Sequence, residues 1–354
     1  MNTQVQTAVW IEGSCPPDER QEVSIMGGSR HIENSGKTGN RKTTLLKSII
    51  SIGILGYLLY LTRVENFFLR LQRLSFGFIV FAWFYYVSCQ WLSAYRWQLF
   101  LKVKQIEVPL SRLFSFYMVG MFLNNVMPGA VGGDIAKSYD LYKYTNQSKY
   151  AVLSVFLERF TGFIGISLIG VLAMLIGFRE TQSPLAFWAV FGTALFLTCI
   201  TVAIWYPPLS RRVRVIALKF FPKTIGEKLD PLYEALSGYR EHPNTLFRAI
   251  ALSVLLQLMM ALYYSLTANA LGIPIDMKYF ILFLPLVTLI SVAPISLGGL
   301  GVKEATMVLL FAEVGVSAPD VLAVSLTVHI LNTLLSFWGG AILFFRKPIP
   351  ASSA

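Results

Sequence analysis

At 354 residues the chain is long enough for two soluble domains. Yet hydrophobic residues make up 55% of it and charged residues only 14%, against about 25% charged in an ordinary globular domain. With mean hydropathy at +0.59, the apolar excess must meet lipid, which excludes a water-soluble enzyme or binding module. The net charge of +11 comes from Lys and Arg clustered beside apolar runs, where anionic headgroups attract them. Membrane surface, not nucleic acid, is the expected partner.

Residues 1–42 are polar, rich in Gly, Ser and Asn, and lack apolar periodicity, as in a disordered tail. No cleavable signal is expected, because the first long apolar run begins after Lys42. Gly36-Lys37-Thr38 mimics the end of a P-loop, but His31 stands where the required glycine would be. Cys15, Cys89 and Cys199 have no metal or disulfide spacing. Neither a metal nor another cofactor is expected.

A bilayer crossing needs about 20 apolar residues. Six runs meet that: 43–62, 77–100, 150–177, 184–206, 247–271 and 321–345. Two shorter stretches, 112–127 and 279–293, each end at a proline followed by glycines and a second short segment, the pattern of a re-entrant hairpin. The expected fold is therefore an all-α polytopic membrane protein, with six full transmembrane helices plus two re-entrant helical hairpins in an inverted repeat. Its units would be 77–177 and 247–345, joined by 178–246, with 346–354 a short tail. Lys and Arg residues flank the first span, fill 207–247 and follow Phe345. The positive-inside rule then makes this loop and both termini cytoplasmic, and 178–183 and 272–278 outward-facing. Within 207–247, Val213, Ile216, Ala217, Phe220 and Phe221 among basic residues suggest an amphipathic surface helix.

The two hairpin tips share one spelling. Pro128-Gly-Ala-Val-Gly132-Gly133-Asp134-Ile-Ala-Lys137 and Pro294-Ile-Ser-Leu-Gly298-Gly299-Leu-Gly-Val-Lys303 both read P-x3-GG-x3-K, offset by 166 residues. Proline stops the incoming helix and paired glycines permit a tight turn. The returning half-helix offers free N–H groups and a positive dipole end to an anion, and a lysine one turn on adds charge. The competing reading is that these small residues only let helices pack closely. Two copies at one offset favour a ligand site at the repeat interface.

Glu158 and Arg159 lie well inside the third long span, where charges are expensive and pair or line a polar path. As neighbours on a helix they cannot face each other, so Arg159 is expected to reach Asp134 or Glu304. Glu158 shares a face with Thr161, Gly162 and Gly165, which would admit another backbone. A static ion pair locking the hairpin is the alternative to a switching network. On the last span Ser325, His329, Asn332, Ser336 and Gly340 form a polar stripe, matched on 247–271 by Ser253, Gln257, Ala261 and Tyr264. His329, Asn332 and Gln257 are the expected cavity lining. Arg96-Trp97, near a span end, reads as an interfacial anchor.

Asn124-Asn125-Val-Met-Pro128 through Asp134, Glu158-Arg159-Phe160 and Pro294 through Glu304 resemble the flippase-like, lysylphosphatidylglycerol synthase transmembrane-region family, as does Arg96-Trp97. The likeness covers roughly residues 45–345. It implies a multi-pass plasma-membrane protein that moves lipids or lipid-linked headgroups between leaflets. Full-length synthases continue into an aminoacyl-transferase domain, whereas this sequence ends nine residues after Phe345, so no synthase activity is expected. The family often has arginine where Lys137 and Lys303 stand, and lysine lacks the bidentate fork.

The leading expectation is a translocator of an anionic phospholipid or a polyprenyl-phosphate-linked substrate. Lys137, Lys303, Gly132, Gly133, Gly298, Gly299 and Asn125 would receive the headgroup. Asp134, Glu158, Arg159 and Glu304 would form the switching network. The alternative is a non-transporting subunit serving a separate lipid-modifying transferase or glycosyltransferase. No catalytic residue is expected, since no nucleophile–base pair is visible.

Overall fold

The computed structural model describes residues 74–126, 132–177, 238–239, 241–291 and 300–346, with isolated positions between 53 and 72 and at 192 and 195. Among the described residues every long element is a helix. They are α1 (Phe76–Val103), α2 (Leu110–Val126), α3 (Gly132–Thr145), α4 (Ser148–Gly177), α5 (Pro243–Ala270), α6 (Met277–Ser291), α7 (Val302–Ala312) and α8 (Ala318–Phe345).

Four of these, α1, α4 over Ser148–Leu172, α5 and α8, are long and apolar enough to cross a membrane. At 1.5 Å per residue, 28 residues extend about 42 Å, beyond the roughly 30 Å hydrocarbon core. They match the sequence runs 77–100, 150–177, 247–271 and 321–345. The runs 43–62 and 184–206, the 207–247 loop helix, both tails and the motif tips 127–131 and 292–299 lie outside the described residues. On either side of each tip stand two shorter helices, α2 with α3 and α6 with α7, packed against each other.

Helix ends follow local chemistry. Pro243 opens α5 at a position where its missing N–H costs nothing. Gly272, at φ +68°, closes it, with Gly272 N–H donating to Asn269 O and Ile273 N–H to Ala268 O.

α1 and α5 are antiparallel partners. The Ser75 amide donates to Ala270 O at 2.8 Å at one end. Tyr86 stacks on Tyr263 at 4.8 Å between ring centres, and the Tyr239 hydroxyl donates to Phe100 O at the other end. Around this pair, α2 packs on α8 and α6 on α4, while α3 meets α4 and α7 meets α8. Exchanging α1–α4 for α5–α8 leaves these pairings unchanged. The α4–α5 contact is the departure.

The larger core joins α1, α5, α6, α7 and α8 around Tyr263, Phe280, Phe283 and Phe311, all essentially inaccessible. A smaller one gathers Trp97, Leu101, Leu113 and Leu141. By contrast Phe76, Phe78, Phe81 and Phe84 on α1 and Phe337, Trp338, Phe344 and Phe345 on α8 are exposed. Such an apolar exterior is what a lipid-facing surface requires. Past the end of α8, Arg346 donates to Asp140 of α3 through Nη1 and Nη2, at 2.5 and 2.9 Å, tying the two halves together.

Gly339 sets the closest helix approach. A Cβ there would overlap the Met118 carbonyl of α2, whereas one at Gly77 would meet open space. Gly339→Ala should therefore force α2 and α8 apart and cost about 1–3 kcal/mol. Gly77→Ala should leave the midpoint of thermal unfolding in detergent near that of the unmodified protein.

Candidate functional site

The site begins with a close approach between α2 and α3. A Cβ on Gly133 would overlap the Gly120 carbonyl, and the Gly133 amide donates to Asn124 Oδ1 at 2.7 Å. One turn on, this register presses the Lys137 stem against Gly120. Its ammonium, on a side chain only 4% exposed, lies 4.4 Å from the centre of the Tyr117 ring and 5.6 Å from that of Trp97, a cation–π setting.

Lys137 Nζ donates to Glu158 Oε2 at 2.8 Å and lies 3.3 Å from Asp134 Oδ1. The other Glu158 oxygen accepts from Arg96 Nη2 at 3.3 Å. Arg96 Nη1 donates to Ser253 Oγ at 2.6 Å, and that hydroxyl donates to Ala249 O. Arg159 grips Asp134 bidentately through Nε and Nη2, at 2.8 and 2.9 Å. The expected partner choice for Arg159 is thus resolved in favour of Asp134. Glu158 and Arg159 point to different partners, yet α3 gathers both into one cluster. Gly165, on the Glu158 face, admits the backbone of α5 at Ser253.

Arg96-Trp97 is not an interfacial anchor. Both side chains are buried, and Trp97 Nε1 donates to Ser154 Oγ at 2.9 Å. Packing of α4 and α5 over this end of α1 encloses them. Among the described residues the cluster therefore holds three cations, Arg96, Lys137 and Arg159, against two carboxylates, Asp134 and Glu158.

The cluster faces a cavity of about 360 Å³ between α1, α2, α4, α5 and α6, which Arg96, Lys137, Glu158 and Arg159 line with Gln257 and Thr288 among others. Among the described residues no second acidic side chain joins Glu158 in that wall. Arg96 Nε is buried, with no hydrogen-bond partner among the described residues. Arg159 Nη1 makes no hydrogen bond among the described residues, since its two bonds use Nε and Nη2. A net positive charge with spare N–H donors, in a partly desolvated space, is chemistry that suits an anion.

The second motif is built differently. Glu304 is buried, accepting from the Gly301 amide at 2.7 Å and the Ser325 hydroxyl at 3.2 Å. Lys303, half-buried, sits 5.3 Å over the Tyr264 ring and joins no ion pair among the described residues. The sequence explains this. At the 166-residue offset, Val324 and Ser325 stand where α4 has Glu158 and Arg159, and Leu300 replaces Asp134.

Of the other expected residues, Gly132 opens α3 half-buried, and Asn125 Nδ2 donates to Ser336 Oγ at 2.9 Å. Gly298 and Gly299 lie outside the described residues. Gln257 lines the cavity. Asn332 Oδ1 accepts from the Tyr263 hydroxyl at 3.1 Å, and His329 lies half-buried on α8. Sequence reasoning passed over Arg96, Tyr117 and Asn124 as site residues. The signal for Arg96 was the run Cys89, Gln90, Ser93 and Arg96, a polar stripe at helical spacing on α1 that lines the cavity.

Comparison with known proteins agrees with this architecture. The family described as the lysylphosphatidylglycerol synthase TM region matches residues 44–340. A UPF0104 membrane protein of Pyrococcus horikoshii is 28% identical over 342 residues, 86% of this chain and 98% of the relative. One of Methanothermobacter thermautotrophicus is 26% identical over 268 residues, 70% and 77% respectively.

The charge count makes an asymmetric forecast. Glu158→Gln leaves the cluster with three cations and one carboxylate, and should cost about 3–5 kcal/mol, the range for breaking a buried pair. Lys137→Met leaves two arginine–carboxylate pairs and no excess, and should cost less than half as much. Thermal unfolding in detergent reads both. Equal losses would mean that Lys137 and Glu158 form a simple pair with no excess charge beside them.

Proposed function

This chain belongs to the lysylphosphatidylglycerol synthase transmembrane-region family, and we propose that it moves a phosphate-bearing lipid or lipid-linked headgroup between the leaflets of the membrane in which it is embedded. The observation that carries this reading is the single excess positive charge that the cluster holds among the described residues, beside a cavity lined by Arg96, whose buried Nε has no hydrogen-bond partner there. An uncompensated cation at membrane depth is costly. A phosphodiester carries one negative charge and acceptor oxygens, so its arrival neutralises the cluster and satisfies the donors.

Movement follows from how the cluster is held. The network joins α3 to α1 and α4 through Lys137–Glu158, Arg96–Glu158 and Arg159–Asp134. A headgroup phosphate competes with the carboxylates for the same cations, loosening α3 from α4 as it binds. The antiparallel α1–α5 pairing and the exchange symmetry of the helix contacts support an inverted repeat. In that plan, broken helices at the repeat interface present the ligand alternately to the two sides. Re-entrant placement of α2–α3 and α6–α7, with both termini cytoplasmic, completes the reading.

Two experiments test it. In liposomes holding only this protein, headgroup-labelled phosphatidylglycerol should change leaflet. Arg96→Lys keeps the charge opposite Glu158 but deletes the spare Nε donor, and should slow movement about tenfold, the worth of one charge-assisted hydrogen bond. Movement at the full rate in the variant would remove Arg96 from the receptor, and no movement in the parent protein would overturn the reading. For topology, a cysteine at the exposed start of α5, Asn244→Cys, should resist impermeant thiol reagents in intact cells. Labelling from outside would reverse the orientation.

A further inference from the structure

A second concavity lies between α3 and α4. It is lined by Ile135, Tyr139 and Tyr142 on one helix and by Val152, Val155 and Phe156 on the other, and it closes at Asp134 and Arg159. Its volume is about 470 Å³. All of these apolar side chains but Val155 are exposed. Their spacing, at positions 135, 139 and 142 and at 152 and 156, keeps each set on one helix face. Because only Asn146 and Gln147 separate the two helices, the faces meet along a hairpin. From Tyr142 to Asp134 the groove runs about 12 Å at helical rise.

Arg159 lines both this groove and the polar cavity. Its side chain is 47% exposed within a helix long and apolar enough to span a membrane. A half-exposed guanidinium facing hydrocarbon is expensive, and its Nη1 edge is left unbonded by Asp134, which takes Nε and Nη2. We propose that the groove seats one acyl chain of a lipid whose singly charged phosphodiester meets Arg159, so that the lipid reaches the cavity sideways between α3 and α4. The inference rests on the reading that the cavity accepts an anionic headgroup, and adds where the tail lies. The charge at one end and the apolar lining along the rest are complementary to that occupant: tail on Tyr139, Val152 and Phe156, phosphate on Nη1.

The test uses the full chain in phosphatidylcholine vesicles containing a trace of phosphatidylglycerol with a photoreactive diazirine midway along one acyl chain. A phosphatidylcholine probe of the same tail runs in parallel, and cross-links are mapped by mass spectrometry. The phosphatidylglycerol probe should label Tyr139, Val152 or Phe156 about tenfold more than the phosphatidylcholine probe, a ratio one charge-assisted contact supplies. Unlabelled phosphatidylglycerol should compete. Val152→Trp, which fills the groove, should remove the labelling, while Phe81→Trp on the exposed face of α1 should not. Arg159→Lys should keep part of the headgroup preference and Arg159→Gln should lose it, each checked for an unchanged unfolding midpoint.

Equal labelling by both probes, labelling spread evenly onto Phe78 and Phe81, or cross-links between two copies of the protein would overturn the proposal. Binding of soluble glycerophosphoglycerol separates this failure from that of the headgroup reading. If that diester binds while the groove stays unlabelled, only the acyl-chain site falls. If it does not bind, the headgroup reading falls and takes this inference with it.

Discussion

The bond between Lys137 and Glu158 joins the short helix α3 to the long apolar helix α4, and the site depends on the charges it draws together. A charge buried at membrane depth without a partner is costly, and Glu158 meets that demand twice, through Lys137 and Arg96. Arg96 arrives from α1 to the second Glu158 oxygen, and Asp134 ties Arg159 to the same helix that carries Lys137. The sum is not neutral. A purely structural network would pair its members off, as Arg346 and Asp140 do one turn further along α3. Among the described residues one positive charge is left over beside a cavity, and on the reading proposed above that remainder is what an anionic headgroup would meet.

Glycine makes the network geometrically possible. Gly120 and Gly133 bring α2 and α3 within backbone contact, Gly165 brings α4 onto α5, and Gly339 brings α8 onto α2. Where side chains cannot gain from leaving water, close backbone approach is how membrane helices gain packing energy. Those approaches place Lys137, Glu158 and Arg96 within hydrogen-bond reach. The same packing holds Tyr117 and Trp97 against the Lys137 ammonium, a partly aromatic wall that orients the charge without neutralising it.

Much of this was legible in the sequence because membranes simplify the code. Apolar runs long enough to cross gave α1, α4, α5 and α8, the cost of intramembrane charge singled out Glu158 and Arg159, and the repeated motif supplied Lys137 with Asp134 beside it. Arg96 escaped because an arginine–tryptophan pair near a span end also suits the interface. Only the packing of α4 and α5 over it decides between the two. The matched spelling of the two motifs also promised more symmetry than the site has. Among the described residues Lys303 has no carboxylate partner, because the span behind it offers Val324 and Ser325, so the two halves share helix packing while the charge cluster belongs to the first. The polar stripe on α8 is likewise spent on separate neighbours, Ser325 on Glu304, Asn332 on Tyr263 and Ser336 on Asn125.

The central claim is that one excess buried charge draws in one anionic headgroup, and equilibrium binding tests it most directly. Short-chain phosphatidylglycerol is titrated calorimetrically into the protein in uncharged nanodiscs, with the Lys137→Met variant in parallel. The account predicts saturable binding to one site in the parent protein. Binding should weaken at least about tenfold in a variant that still unfolds near the parent midpoint. Equal affinity in the folded variant would show that the charge at Lys137 is not what the lipid meets, and would contradict the account.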